Sequence, residues 1–215
     1  DDSMAGQLLD QAAPGLECPL PGVSMVEFSP RPDTSETGRV VLRGSEVCTS
    51  HISGLRRPAR FRTTRDCAIH PLRLDDVRIG VGRDGQSGLE FGLVALDSVG
   101  MPRWPDELEI HFGGEASIAW TLRHWLIRKV RRIELESNGS VWSSGLSISA
   151  TTEPTGYSLE SSPASQPLLD LRDFFCADDR FRFATLRGLG DSLAAGTKNV
   201  RIRIQFDQPL PKLLE

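Results

Sequence analysis

Between Val200 and Phe206 apolar and polar residues alternate without a break: Val200, Ile202, Ile204 and Phe206 take one parity, Arg201, Arg203 and Gln205 the other. A period of two sends successive side chains to opposite faces of a pleated strand, so this segment has one face for a core and one for solvent. Leu108, Ile110 and Phe112 repeat the pattern. Further β-like runs cover residues 23–29, 38–49, 60–69, 89–96, 132–136, 141–149 and 180–186, each bounded by Gly, Pro, Asp or Ser. About nine strands is a β-rich count for a chain of 215 residues. Asn138-Gly139, between Ile133-Glu134-Leu135-Glu136 and Val141-Trp142, predicts a two-residue turn in which both central residues need positive φ. Asp84-Gly85, between Val77-Arg78-Ile79 and Leu89-Glu90-Phe91, predicts a second, longer-looped hairpin.

One segment departs from this period. Ile118, Ala119, Leu122, Trp125, Leu126 and Val130 recur at steps of three and four, which predicts an amphipathic helix over 115–131 with an acidic start and a basic end. A shorter helix is predicted over 167–176, where Leu168, Leu171 and Phe175 share a face and Pro167 suits the first turn. The Ser-rich span 151–166 is expected to be a loop and a subdomain seam. These elements predict an α+β, β-rich fold of antiparallel sheets, sandwich-like, with one long and one short helix. Residues 1–20 are expected to form a tail or linker, and 21–215 one β-rich domain.

A chain of this length buries roughly 70% of its extended surface on folding, so it needs no staple. The four cysteines, Cys18, Cys48, Cys67 and Cys176, include no C-x-x-C pair, which suits a reducing compartment. No run of about 18 apolar residues is present, and the acidic start lacks the basic and apolar regions of an export signal. The first residue is not Met, which suggests a trimmed or excised piece.

Reactive chemistry leaves little trace. Gly80-Val81-Gly82-Arg83-Asp84-Gly85 fits G-x-G-x-x-G, but phosphate binding there needs a helix immediately afterwards, and a strand follows. Cys48, His51, Cys67 and His70 have spacings that match no zinc frame. Neither G-x-S-x-G nor H-E-x-x-H occurs. The doublets Asp75-Asp76 and Asp178-Asp179 sit in turn-like contexts, where a carboxylate satisfies backbone donors. The reading from these residues is therefore no catalytic centre, no metal and no cofactor.

Two basic runs stand out. Arg56, Arg57, Arg60, Arg62 and Arg65 form one; Arg123, Arg128, Lys129, Arg131 and Arg132 form the other. A net charge of −4, a single Tyr and no nucleic-acid-binding pattern argue against a nucleic-acid partner. Arg outnumbers Lys 22 to 3, and a guanidinium fork pairs bidentately with carboxylates, as protein interfaces require. The second run is the candidate partner interface. A different class of function, a β-sandwich module binding carbohydrate or peptide, would use Trp104 and Trp142 as an aromatic platform.

The segment Phe61-Arg62-Thr63-Thr64-Arg65-Asp66, continuing to His70-Pro71-Leu72, resembles the F-R-T-T-x-D signature of the TssF family of type VI secretion baseplate subunits. Residues 21–28 resemble that family's P-S-M-x-x-x-x-F strand, and Leu42-Arg43-Gly44-Ser45 its P-R-G-T step with Leu in place of Pro. Residues 106–126 are similar to its strand, turn and long helix. Residues 174–189 are similar to its aromatic-rich run, with Cys176-Ala177-Asp178 replacing an aromatic-proline step. The order holds from about residue 15 onward, and the chain resembles an internal third of a family member.

The resemblance implies a non-enzymatic scaffold in the wedge of the contractile apparatus. Its implied partners are TssG, TssK, TssE and a second TssF copy, at the cytoplasmic face of the inner membrane and without insertion into it. It also implies that Phe61, Arg62, Thr63 and Thr64 are determinants of the fold. Phe61 and Thr63 would share one strand face, Arg62 and Thr64 the other.

Overall fold

The computed structural model describes residues 22–30, 39–50, 57–81, 87–96, 103–143, 145–151 and 166–211, together with Met4, Gln7 and Gln11. Among these, the early strands are β1 (Arg39–Val41), β2 (Glu46–Cys48), β3 (Arg60–Arg62), β4 (Cys67–Ile69), β5 (Leu72–Val81) and β6 (Ser87–Ala95). Then come β7 (Glu107–His111), helix α1 (Ala116–Arg128), β8 (Val130–Ser137), β9 (Ser140–Ser143) and β10 (Ser147–Ala150). Helix α2 (Gln166–Cys176), a 3-10 turn (Asp178–Phe181), β11 (Phe183–Arg187), a single turn α3 (Leu189–Ser192) and β12 (Asn199–Phe206) complete the order. The chain divides into two compact units. One comprises Asp1–Glu27, Val40–Ala68 and Glu153–Phe181; the other comprises Phe28–Arg39, Ile69–Thr152 and Arg182–Glu215.

In the second unit β12 is the centre of a five-stranded sheet ordered β5-β6-β12-β8-β9, and every neighbouring pair runs antiparallel. The alternation read from residues 200–206 becomes register: Ile202 lies between Phe91 and Leu135, and Ile204 between Leu89 and Ile133. All six of these side chains are buried. A second, three-stranded sheet, β10-β11-β7, adds Ala184 and Leu186 to the same core. Helix α1 packs on β8, β10 and β11, and its buried Ala119 and Leu126 belong to that core as well. Arg123 fastens the helix to β11 through its Nε, which donates to the Phe183 carbonyl at 2.9 Å.

The predicted hairpin at Asn138-Gly139 is present, with Ser137 opposite Ser140 and φ of 51° and 78° at the two turn residues. Asn and Gly reach that conformation with least strain, so the sequence itself dictates the turn. The β5–β6 hairpin also forms, and Val81 faces Ser87; its Asp84-Gly85 tip lies outside the described residues.

Several boundaries differ from the sequence reading, among them the run 141–149, which splits into β9 and β10, and the run 180–186, whose first two residues belong to the 3-10 turn. Residues 23–29 have no strand partner among the described residues. The runs 38–49 and 60–69 each break into two three-residue strands, because a turn at Arg43-Gly44 and a bend at Thr64-Arg65 interrupt them. Helix α1 stops at Arg128, three residues early, and β-branched Val130 opens a strand by pairing with Phe206. Arg131 therefore belongs to β8 and not to the helix end, and joins Arg132 there. Strand β5 is ten residues long, whereas the pattern exposed only Val77 to Ile79. A bulge hides the rest: between the pairs Asp75 with Gly92 and Arg78 with Glu90, β5 carries two residues where β6 carries one.

Truncating Ile202 to Ala leaves a void between Phe91 and Leu135, with a cost of about 2–5 kcal/mol in urea unfolding. Val141→Ala, on exposed surface, should stay within about 0.5 kcal/mol of wild type. Equal effects of the two substitutions would contradict the placement of β12.

Candidate functional site

The polar face of the five-stranded sheet is a ladder of alternating charge. Register lines up Arg78, Glu90, Arg203 and Glu134 across β5, β6, β12 and β8. Arg203 bonds Glu90 at 2.9 Å and also pairs with Glu136; Arg201 reaches Glu90 at 3.3 Å and Asp76 at 3.5 Å. Asp76 holds Arg78 at 2.8 Å from the β5 bulge, where its φ is 47°. Burial alone would lower the Arg203 pKa, but the bond from Glu90 and the fields of Glu90, Glu136 and Glu134 outweigh it and raise it. Four cations (Arg78, Arg132, Arg201, Arg203) meet four anions (Asp76, Glu90, Glu134, Glu136) in this network. The face is self-neutralised.

The five candidate interface cations separate into two groups. Arg123 is half-buried: besides its bond to Phe183 it lies 5.4 Å from the Trp120 ring centre, and burial lowers its pKa. Arg132 donates to Ser143 at 2.8 Å and pairs with Glu134 at 3.1 Å, so it belongs to the ladder. Arg128 and Arg131 are exposed and Lys129 half-exposed at the junction of α1 and β8. Gln205 pairs with Arg132 and Phe206 with Val130, which makes Arg131 the extra residue of a bulge. Arg131 has the parity of buried Ile133 and Leu135, and the bulge turns it outward.

The remaining chemical candidates are dispersed. Trp104 is buried, with its indole N–H donating to the Thr197 carbonyl at 2.9 Å; Trp142 packs against the core from β9. These positions do not make an aromatic platform. Cys48 is exposed on β2 and Cys67 half-buried on β4. Among the described residues no group of three or more His, Cys, Asp and Glu gathers at one point; His51 lies outside them. Asp178 and Asp179 open the 3-10 turn.

Two apolar surfaces escaped the sequence reading. In α2 the stripe predicted from Leu171 and Phe175 points outward, Phe175 being 78% exposed, while the side chain of Leu168 is outside the described set. Among the described side chains of this helix the buried one is Asp173, only 1% exposed, held by Arg172 at 3.2 Å and by Arg180. Helical periodicity reveals a stripe but not whether it faces the chain's own core, and here a carboxylate between two guanidiniums fixes the inward face. Phe174 packs its ring edge against Phe181 of the 3-10 turn, with centroids 5.7 Å apart. On β5, Leu74 and Val81 are 59% and 63% exposed, although their cross-strand partners Leu93 and Ser87 are buried. The core face of the sheet thus extends past its own cover at this edge.

In the first unit, β2 and β3 pair so that Phe61 faces Val47 and Arg62 faces Glu46. Thr63 then bonds the preceding turn at four points. Its carbonyl accepts from the Gly44 N–H at 2.8 Å and its N–H donates to the Ser45 carbonyl at 3.0 Å. Its hydroxyl accepts from the Ser45 N–H at 3.0 Å and donates to the Leu42 carbonyl at 2.7 Å. Gly44, with φ of 84°, supplies the turn conformation that a side chain would strain. Asp66 closes the loop by accepting from the Arg43 N–H at 2.6 Å.

Against known proteins, the model of the family described as "Type VI secretion system, TssF" matches residues 2–215. The chain belongs to this family. It also resembles a chain in the solved structure of a type VI secretion system TssK-TssF-TssG baseplate subcomplex, with a TM-score of 0.72 and 22% identity. That likeness of fold covers 86% of this chain and 36% of the other, so the present chain spans little more than a third of its length. No curated protein matches the sequence. In this TssF-family chain the segments that carried the resemblance, Leu42 to Ser45 and Phe61 to Asp66, are the two sides of the Thr63 hydrogen-bonded junction.

Thr63→Val should destabilise this TssF-family chain by about 1–2 kcal/mol and speed amide exchange at Ser45, while Thr63→Ser keeps the hydroxyl and stays near wild type. Indistinguishable exchange in the two variants would remove the hydroxyl from the account. Burial holds the His70 pKa below its ordinary 6.5. A lowered folded pKa means that the unfolded chain takes the proton first. The associated stability is complete above about pH 6.5 and drains away as pH falls through the depressed folded value. His70→Gln should therefore flatten the fall of the urea midpoint as pH drops below the ordinary histidine value; an unchanged slope would show that His70 does not titrate with folding.

Proposed function

We propose that this chain is part of a structural, non-enzymatic subunit of a type VI secretion baseplate and acts through protein–protein contacts. The observation that carries the reading is the family match over residues 2–215. The fold shared with a chain of the TssK-TssF-TssG subcomplex supports it. The distribution of chemistry agrees: charged groups of the sheet face neutralise one another, and conspicuous exposed groups are apolar or cationic, as contact surfaces require.

In this reading TssG and TssK are direct partners, and TssE and a second TssF copy share the wedge on which sheath and tube assemble. The site of action is the cytoplasmic face of the inner membrane. Among the described residues no helix is long and apolar enough to cross a membrane. Phe61, Arg62, Thr63 and Thr64 act within the subunit by fixing the junction of β2, β3 and the preceding turn.

Co-expression of the full-length parent with tagged TssG and TssK tests the assignment. The expected result is one complex containing all three chains on size-exclusion chromatography. A parent that elutes alone under conditions where TssG and TssK are folded would overturn it.

A further inference from the structure

Resting on the baseplate reading above, we infer that the corner formed by Arg128, Lys129 and Arg131 docks an acidic segment of a partner protein. Among the described residues these three side chains have no ion-pair partner, whereas Arg132, one residue further on, is paired with Glu134 and the neighbouring sheet face is balanced cation against anion. Asp207 approaches the corner through its backbone, donating its N–H to the Lys129 carbonyl at 2.8 Å. That contact is between backbone groups, so among the described residues no ion pair offsets the three cations.

Two local features hold this charge at the surface. Arg128 is the basic residue in the last turn of α1, and the helix C-terminus, with roughly half a negative charge, compensates only part of it. Arg131 is the bulged residue of β8, displaced from a parity that would bury it. An ordinary ladder would have put a guanidinium against Ile133 and Leu135 or selected an apolar residue there.

The geometry selects the partner class. Three peptide steps separate Arg128 from Arg131, so their Cα atoms lie at most about 11 Å apart. That span matches two or three carboxylates on an acidic loop or at a helix start, which guanidinium forks bind bidentately. A nucleic-acid backbone asks for a longer basic track, and the adjacent charges on the sheet are already consumed.

The test uses the full-length parent co-purified with TssG and TssK, comparing wild type with Arg128→Glu/Arg131→Glu and Arg128→Lys/Arg131→Lys. Thermal melting of each parent confirms folding. Wild type should retain its partners less well as salt rises, the Glu variant should lose about tenfold in apparent affinity, and the Lys variant should stay within about threefold. Equal retention by wild type and the Glu variant overturns the inference while leaving the baseplate reading intact. Salt-independent retention, an equal loss in the Lys variant, or retention abolished by nuclease also overturns it. Wild type retaining neither partner overturns the baseplate reading and the role of the corner with it.

Discussion

Everything in the larger unit hangs on β12. It is the middle strand of the five-stranded sheet, between β6 and β8, and its two faces are opposed in chemistry: Val200, Ile202, Ile204 and Phe206 are buried, while Arg201 and Arg203 lie in the charge ladder. The two faces contribute differently. Burying each large aliphatic side chain is worth about 1.5–3 kcal/mol, whereas partly exposed ion pairs are worth about 0–1 kcal/mol each. The apolar rows supply stability and the ladder supplies uniqueness. A slip of one residue would exchange the faces and drive Arg201 and Arg203 into the core, at a desolvation cost far above anything the pairs return.

What the sequence makes legible follows the range of the forces involved. The α+β composition, the Asn138-Gly139 hairpin, the body of α1 and the alternation of β12 are local, and each was visible because a period or a turn residue announces it. The bulges on β5 and β8 were not, since a bulge is a property of two strands together. The first broke the pattern of β5 at Asp75-Asp76, and the second lies at Arg131, which the helical period had placed at the helix end. The inward orientation of Asp173 was hidden for a similar reason. Its partner Arg180 lies seven residues away beyond the end of the helix, and no local pattern marks which carboxylate of a helix is turned inward.

The candidate site was legible in part. Composition and charge run pointed to the stretch from Arg123 to Arg132, but charge alone could not separate cations bound inside the fold from those left outside. The division is physical: Arg123 reaches a strand carbonyl and Arg132 a carboxylate and a hydroxyl, both as internal fasteners. Family resemblance marked Phe61 to Asp66, and the hydrogen bonds give a reason for the pattern. A Thr at position 63 offers a donor and an acceptor on one oxygen, so one side chain serves both the Ser45 N–H and the Leu42 carbonyl. A Gly at position 44 permits the turn that brings them there.

The edge strand of the sheet brings these features together. An unprotected edge strand invites pairing with any other chain, and bulges and charged residues are the usual defence. Strand β5 has both, with Asp76 of the bulge held between Arg78 and Arg201. Yet its core-facing side remains apolar and open at Leu74 and Val81. The backbone edge is thus guarded against strand addition while side-chain surface stays available, a combination that favours contact by packing over contact by β-pairing.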